Sequence, residues 1–433
     1  MLNKFFLFLI LMQLYFAQSY SQNIFESLSL DDTAMVETED ISAESPPILE
    51  KKWNHFETKF FSLNFGLAVF LDYNIVDQDE ASIQQVEKVE PAVEFRAQRI
   101  ILSGSLLFFK RPWKYMISAN YNGMDAPQDK KSFDIIDLNI DIPIGKKIGY
   151  LTVGKQKEGV GHEYVLPGSQ AMFTERGTGV PAIVKQRNIG IRYSNNLYEQ
   201  RMSYTLGVFN SWLESGNERS FSDNGMQVTA RITGLPVYTD DRNLFHIGVG
   251  YKYSDAPGGK FTYKAKPEAN TTPSFINTGS FNAVNSNTVM LDLIGVQGPL
   301  TAIAEYMQVF VNSTSAENPV FNYWQIGGSW FITGDNRKYN KVTGSLGKLF
   351  PKKNFTFSKG GGPGAFEVGL RYTHTDFTDK NIKGGIFGRF SSAVSWYPNA
   401  HFRFEINYSY GKLDKNDLIG KSNFWQFRAQ FEL

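Results

Sequence analysis

The chain has 433 residues, of which 42% are hydrophobic, 15% aromatic and 20% charged, with a mean hydropathy of -0.29; that is too polar for a helical membrane protein and unusually aromatic for a soluble one. Lysine and arginine number 44 against 43 acids, a balance that points to no nucleic-acid partner. Cysteine is absent, which excludes disulfides, a thiol nucleophile, a lipid-anchored cysteine and a cysteine-based zinc site.

Lys4 precedes an apolar run from Phe5 to Phe16 and the small-residue stretch Ala17 to Ser21. These are the parts of a secretory signal peptide, expected over residues 1–21 and cleaved near Gln22. The apolar run is shorter than the roughly 20 residues a spanning helix needs. Residues 22–56 carry Glu26, Asp31, Asp32, Glu37, Glu39, Asp40, Glu44 and Glu50 among Ser, Thr and Pro. Too little apolar surface is present there to offset the entropy of ordering, so an acidic, disordered periplasmic extension is expected.

From residue 57 to 433 short alternating runs recur. Leu63, Phe65, Leu67, Val69, Leu71 and Tyr73 alternate with Asn64, Gly66, Ala68, Phe70, Asp72 and Asn74, and Met202, Tyr204, Leu206 and Val208 oppose Arg201, Ser203, Thr205 and Gly207. The chain finishes on the same period, with Trp425, Phe427, Ala429, Phe431 and Leu433 on one face and Gln426, Arg428, Gln430 and Glu432 on the other. A transmembrane antiparallel β-barrel of about 16 strands accounts for this all-β pattern, with apolar residues to lipid and polar residues to a wet lumen. Tight connections (Lys110–Trp113, Gln297–Pro299, Pro398–Ala400) alternate with long polar ones (Asp255–Asn285, Asp376–Gly385), as short periplasmic turns alternate with long extracellular loops. Thr333–Pro363 is the stretch hardest to assign, and Trp53, Trp113, Trp330, Trp396 and Tyr397 are candidates for interfacial girdles.

One connection, between the strand Gly149–Lys155 and the strand starting at Arg187, is about 30 residues long and rich in Phe, Met, Tyr, Val and Ile, which favours packing on the barrel wall over disorder. It and its flanks contain Val153-Gly154-Lys155-Gln156-Lys157, Phe173-Thr174-Glu175-Arg176 and Arg187-Asn188-Ile189-Gly190-Ile191-Arg192-Tyr193. With Gly364-Ala365-Phe366-Glu367-Val368-Gly369-Leu370-Arg371-Tyr372, Ser395-Trp396-Tyr397-Pro398-Asn399 and the final strand, these pieces resemble the phosphate-selective porins O and P. The resemblance spans roughly Phe60 to Leu433. It implies a homotrimeric porin of the Gram-negative outer membrane, in contact with lipid and lipopolysaccharide. Its inward-folded constriction loop would pass small anionic or polar solutes, phosphate or polyphosphate above all, without a cofactor.

Candidate constriction residues are Lys155, Lys157, Glu158, His162, Glu163, Glu175, Arg176 and Lys185. On the lumenal wall strand parity selects Arg96, Arg192, Arg201, Arg231, Lys252, Arg371, Arg389, Arg403 and Arg428, opposed by Glu94, Asp137, Asp141, Asp292, Glu305, Glu367, Glu405 and Glu432. The charges nearly cancel, so the anion preference rests on the resemblance, and wall-bracing salt bridges are an equal alternative. Where the family carries adjacent arginines, Arg96 and Arg99 are separated here and can share the lumenal face only across a bulge. Two other functions compete. A plugged structural or adhesive barrel fits the same strands. An enzyme would need an imidazole base such as His162 beside a nucleophile, and no nucleophile elbow, phosphate loop or metalloprotease helix occurs.

Overall fold

The computed structural model describes residues 53–121, 133–145, 148–184, 187–210, 225–358 and 360–433. The expected signal peptide, all but the last residues of the acidic extension, and Lys185 lie outside them.

Sixteen strands form the wall: β1 (Phe61–Gln78), β2 (Ala92–Leu106), β3 (Trp113–Tyr121), β4 (Phe133–Gly145), β5 (Gly149–Gln156), β6 (Asn188–Leu197), β7 (Met202–Asn210), β8 (Met226–Asp240), β9 (Asn243–Asp255), β10 (Phe281–Gln297), β11 (Leu300–Ser313), β12 (Val320–Phe331), β13 (Ala365–Asp379), β14 (Ile382–Asn399), β15 (Phe402–Lys415) and β16 (Leu418–Glu432). Each pairs antiparallel with its neighbours in sequence, and β16 closes on β1 from Ala68 opposite Glu432 to Gln78 opposite Ser422. Closure satisfies the backbone groups that an open edge would leave unpaired in lipid. His55–Glu57 adds a short strand to the start of β1, so the ladder begins just before the expected boundary at 57.

Side chains alternate across the wall. Leu206, Val208, Leu291, Leu370 and Ile406 are exposed on the outer face, while Thr229, Arg231, Asp292, Thr373 and Asn407 are buried on the inner one. On β2 the register slips between Leu71 opposite Phe95 and Phe70 opposite Ala97, leaving Arg96 as the extra residue of a bulge. That slip resolves the spacing of Arg96 and Arg99: Arg96 reaches Glu175, and Arg99 lies opposite the buried Ala68.

The connections depart from strict alternation in two ways. Asp376–Gly385, expected as a long loop, continues the two strands, and the connection is only Lys380–Asn381; another two-residue turn, Asn416–Asp417, adopts φ 55° and 61°, the left-handed backbone of tight hairpins. Conversely 332–364, at the end where both β1 begins and β16 finishes, adds no wall strand among the described residues and forms the small hairpin Tyr339–Asn340 with Ser345–Leu346 and a single bridge between Phe355 and Gly362. The turns at that end, such as 241–242 and 298–299, are otherwise short. Tyr397 also differs from the girdle expected of it. As the neighbour of the outward Trp396 it must point inward, and its hydroxyl donates to Glu367 at 2.8 Å.

Candidate functional site

The inner face of β8 to β16 is dry and most of its charges are paired; Glu305, also buried, instead accepts from the Gln325 amide at 3.2 Å. Arg231 meets Asp292 at 2.6 Å, and Arg428 grips Asp72 at 2.6 Å with both side chains 2% exposed. Arg403 pairs with Glu405 and also donates to the carbonyls of Ala171 and Met172. Lys252 reaches Glu158 at 2.6 Å. Bare charges could not be held in such surroundings; pairing plus hydrogen bonds compensates their lost hydration.

Three connections supply many of the partners. In 157–187, which carries the helical turns α1 (His162–Val165) and α2 (Gly179–Ile183), Glu163 accepts from Arg371 at 2.9 Å and from Gln325 at 3.0 Å. Thr174 donates to Glu405 and its carbonyl accepts from Arg428. Glu175 accepts from Arg96 at 2.6 Å and lies 3.2 Å from Arg428. In 256–280, Glu268 accepts from Arg371 at 2.6 Å and Thr373 at 2.6 Å, and lies 3.6 Å from Arg389. In 332–364, Arg337 donates to Glu367 at 2.6 Å, and the carbonyls of Thr343 and Gly344 accept from Arg231. A gap of about 30 Å³ lined by His162, Phe173, Gln325 and Arg371 has room for about one water.

Toward β2 to β6 the inner face is wetter. Arg96 is 29% exposed, the Arg187 and Asp137 pair 14% and 12%, and Arg99, Asp141 and Arg192 are partly exposed. Four cations here have no carboxylate within ion-pair distance among the described residues: Arg99, Lys157, Arg176 and Arg192. Three of them bond only backbone carbonyls. Lys157 donates to Val165 and Leu166, Arg176 to Glu163 and Leu166, and Arg192 to Lys157. Burial, with Arg176 and Arg187 nearby, holds the Lys157 ammonium well below the ordinary lysine value. Burial opposes ionisation of Glu175, but Arg96 and Arg428 outweigh it and hold the carboxyl down to about 2.

Two expected site residues lie elsewhere. Lys155 pairs in register with Leu138 and Ile189 and shares the outward face of Val153, because one residue along a strand reverses the side. Arg201 is exposed in the turn before β7, so it has the parity of the inner face without belonging to the strand. His162 is buried, accepts at Nε2 from the Leu346 amide at 3.4 Å, and is held by burial down to about 3; it is a packed, neutral imidazole.

Glu268 and Arg337 were not anticipated. Both lie in long connections that polarity alone makes look solvated. The available signal was Phe261, Tyr263, Phe275 and Ile276 around Glu268: Tyr263, Phe275 and Ile276 are buried with Phe321, Phe377 and Phe387.

The model of the family described as phosphate-selective porin O and P matches residues 63–433. The barrel superposes on the outer membrane channel DcaP of Acinetobacter baumannii with a TM-score of 0.54 at 13% identity, covering 87% of this chain and 99% of that one. The anion-selective porin from Comamonas acidovorans gives 0.55 at 10% identity, with 86% and 100% covered. The trimer form of OmpT, an outer membrane protein of Vibrio cholerae, gives 0.50 at 11%, with 86% and 100% covered. An uncharacterized protein of Caulobacter vibrioides is 32% identical over 126 residues, which span 29% of this chain and only about a quarter (24%) of that relative. The chain belongs to the phosphate-selective porin O and P family and is an outer-membrane porin; family and fold point to a channel rather than an enzyme.

Proposed function

We propose that this porin passes small inorganic anions, phosphate and polyphosphate among them, by passive diffusion along the inner face of β2 to β6, with 157–187 folded into the lumen as its constriction. The carrying observation is the group of Arg99, Arg176 and Arg192, cations without carboxylate partners among the described residues, on the side where water reaches the wall. A narrow, low-dielectric passage concentrates the field of such charges, so a few unpaired cations can set selectivity while the paired ones do not contribute. The bonds from Glu163, Thr174 and Glu175 to β13, β15, β16 and β2 support the inward course of the loop. Trimeric assembly is supported by the trimer form among the structural neighbours. The chain is exported with removal of residues 1–21, which N-terminal sequencing of the mature protein tests.

Purified protein in a planar bilayer gives the decisive measurement. Stepwise conductance with an anion-selective reversal potential in a KCl gradient, and a chloride current reduced by added phosphate, are expected. Cation preference would reduce the reading to a general diffusion porin. The dry inner face of β8 to β16 favours a second reading, a plugged structural or adhesive barrel, whose signature is silence in the same bilayer.

A further inference from the structure

Segment 332–364 changes direction halfway. Its first half is tied inward by Arg337, Tyr339 and Leu346, all buried. Its second half, 350–358 and 360–363, emerges and folds against the outside of the wall. There the Phe355 amide donates to the Pro398 carbonyl at 2.7 Å, and the Trp396 indole donates to the Pro363 carbonyl at 2.9 Å. The Phe355 ring sits 5.1 Å from Trp396, edge to face, and Trp396 in turn stacks on Phe366 and Phe404. Those three belong to the outward face of β13, β14 and β15. At the tip Phe357 is 98% exposed, and Phe350 is 45% exposed.

Charge accompanies these aromatics. No Asp or Glu occurs from Asn336 to Phe366, whereas Lys338, Lys341, Lys348, Lys352, Lys353 and Lys359 do. Lys352 and Lys353 are exposed next to Phe355 and Phe357. A porin wall could close the gap between β12 and β13 with a two-residue turn, as it does at 298–299. The long excursion therefore serves something other than closure.

We propose that residues 350–363 form an interfacial foot: Phe357 enters the acyl boundary of the leaflet at the turn end of the barrel, and Lys352 and Lys353 engage anionic phospholipid headgroups. The occupant is a lipid surface because the foot continues the outward aromatic band of Trp330, Trp396 and Phe404, which the family's membrane barrel turns to lipid. Aromatic rings favour the headgroup level, and lysines beside them are attracted to anionic lipid.

The absence of cysteine makes the test direct. The full chain carrying Phe357→Cys is spin-labelled in nanodiscs containing phosphatidylglycerol, with Glu199→Cys in a turn at the same end as the aqueous control. The expected label at 357 collides several-fold more with oxygen than with a water-soluble nickel complex, relative to the control. Adding Lys353→Glu is expected to move it outward in phosphatidylglycerol discs but not in purely zwitterionic ones. Nickel accessibility equal to that of Glu199→Cys would overturn the proposal, as would dipolar broadening that shows a second copy of the chain covering the foot. If the cysteine variant fails to assemble, Phe357→Trp in brominated lipid gives the same answer: added quenchable emission supports insertion, and unquenched emission refutes it.

Discussion

Arg428 on the last strand donates two hydrogen bonds, of 2.7 and 2.6 Å, to Asp72 on the first. The same guanidinium holds the Thr174 carbonyl at 2.6 Å and touches Glu175, so one side chain fastens both the closing seam and the 157–187 segment. Asp72→Ala leaves that guanidinium buried without its main partner, a loss of about 3–5 kcal/mol in comparable sites. The variant is expected to convert from its compact form at a lower temperature when heated in SDS, and to show noisier single-channel current. Asp72→Asn, which keeps the shape and an acceptor, is expected to fall between.

Among the described residues Arg176 has no carboxylate within ion-pair distance, and it is fixed by two carbonyls, of Glu163 and Leu166, at 2.8 and 2.7 Å. Replacing it with Glu exchanges an unpaired cation for an anion beside Glu163 and Glu175. Anion over cation permeability is expected to fall by roughly 3- to 10-fold or to reverse, measured as reversal potential in a KCl gradient. Arg176→Lys retains the charge and loses the fork, so selectivity should survive while current noise rises.

Deleting 159–179 removes Glu163, Thr174 and Glu175 with their bonds to the wall but no residue of any strand ladder. Single-channel conductance is expected to rise while the heat-modifiable barrel persists. An unchanged conductance would place the segment outside the ion path.

Acid should loosen this segment. His162 is held down to about 3 from an ordinary 6.5, so its protonation favours the undocked chain, and the stability it contributes above pH 6.5 is lost as pH falls toward 3. Glu175, held down to about 2 from 4.5, acts in the same sense below pH 4.5. Burial raises Glu163, which partly offsets both. Protection factors for hydrogen exchange in 157–184, after division by the intrinsic rate at each pH, are therefore expected to fall between pH 6.5 and 3 before those of the wall strands respond. His162→Gln, which cannot take up a proton there, should shift the onset to lower pH.

The wall was legible because period 2 is a local property: Leu206 and Ser203, or Phe427 and Arg428, declare their sides from neighbours alone. Parity also recovered the inward direction of Arg231, Arg371, Arg389, Arg403 and Arg428. It misplaced Lys155 and Arg201 because it fixes neither the phase at a strand's end nor the point where the strand stops. What fills the barrel was not legible. Glu268 meets Arg371 across 103 positions of sequence, a match that no periodicity encodes, and polarity made its connection look like a solvated loop. The bulge at Arg96 shows the intermediate case, where spacing posed the question and only the register of β1 against β2 answered it.

The dry inner face of β8 to β16 has an evolutionary consequence. Strand number sets the girth of a barrel, and a change in girth would require new hairpins and a new closing register. Here many of the inner-face charges are met by connections whose residues, apart from Lys260 and Phe261 beside Asn282 and Phe281 of β10, carry no ladder pairing with the wall. Substitutions or short deletions in 262–280 or 333–349 can therefore retune the bore gradually while the wall ladder stays in place, so descendants of one frame could serve solutes of different size without passing through an unfoldable ancestor.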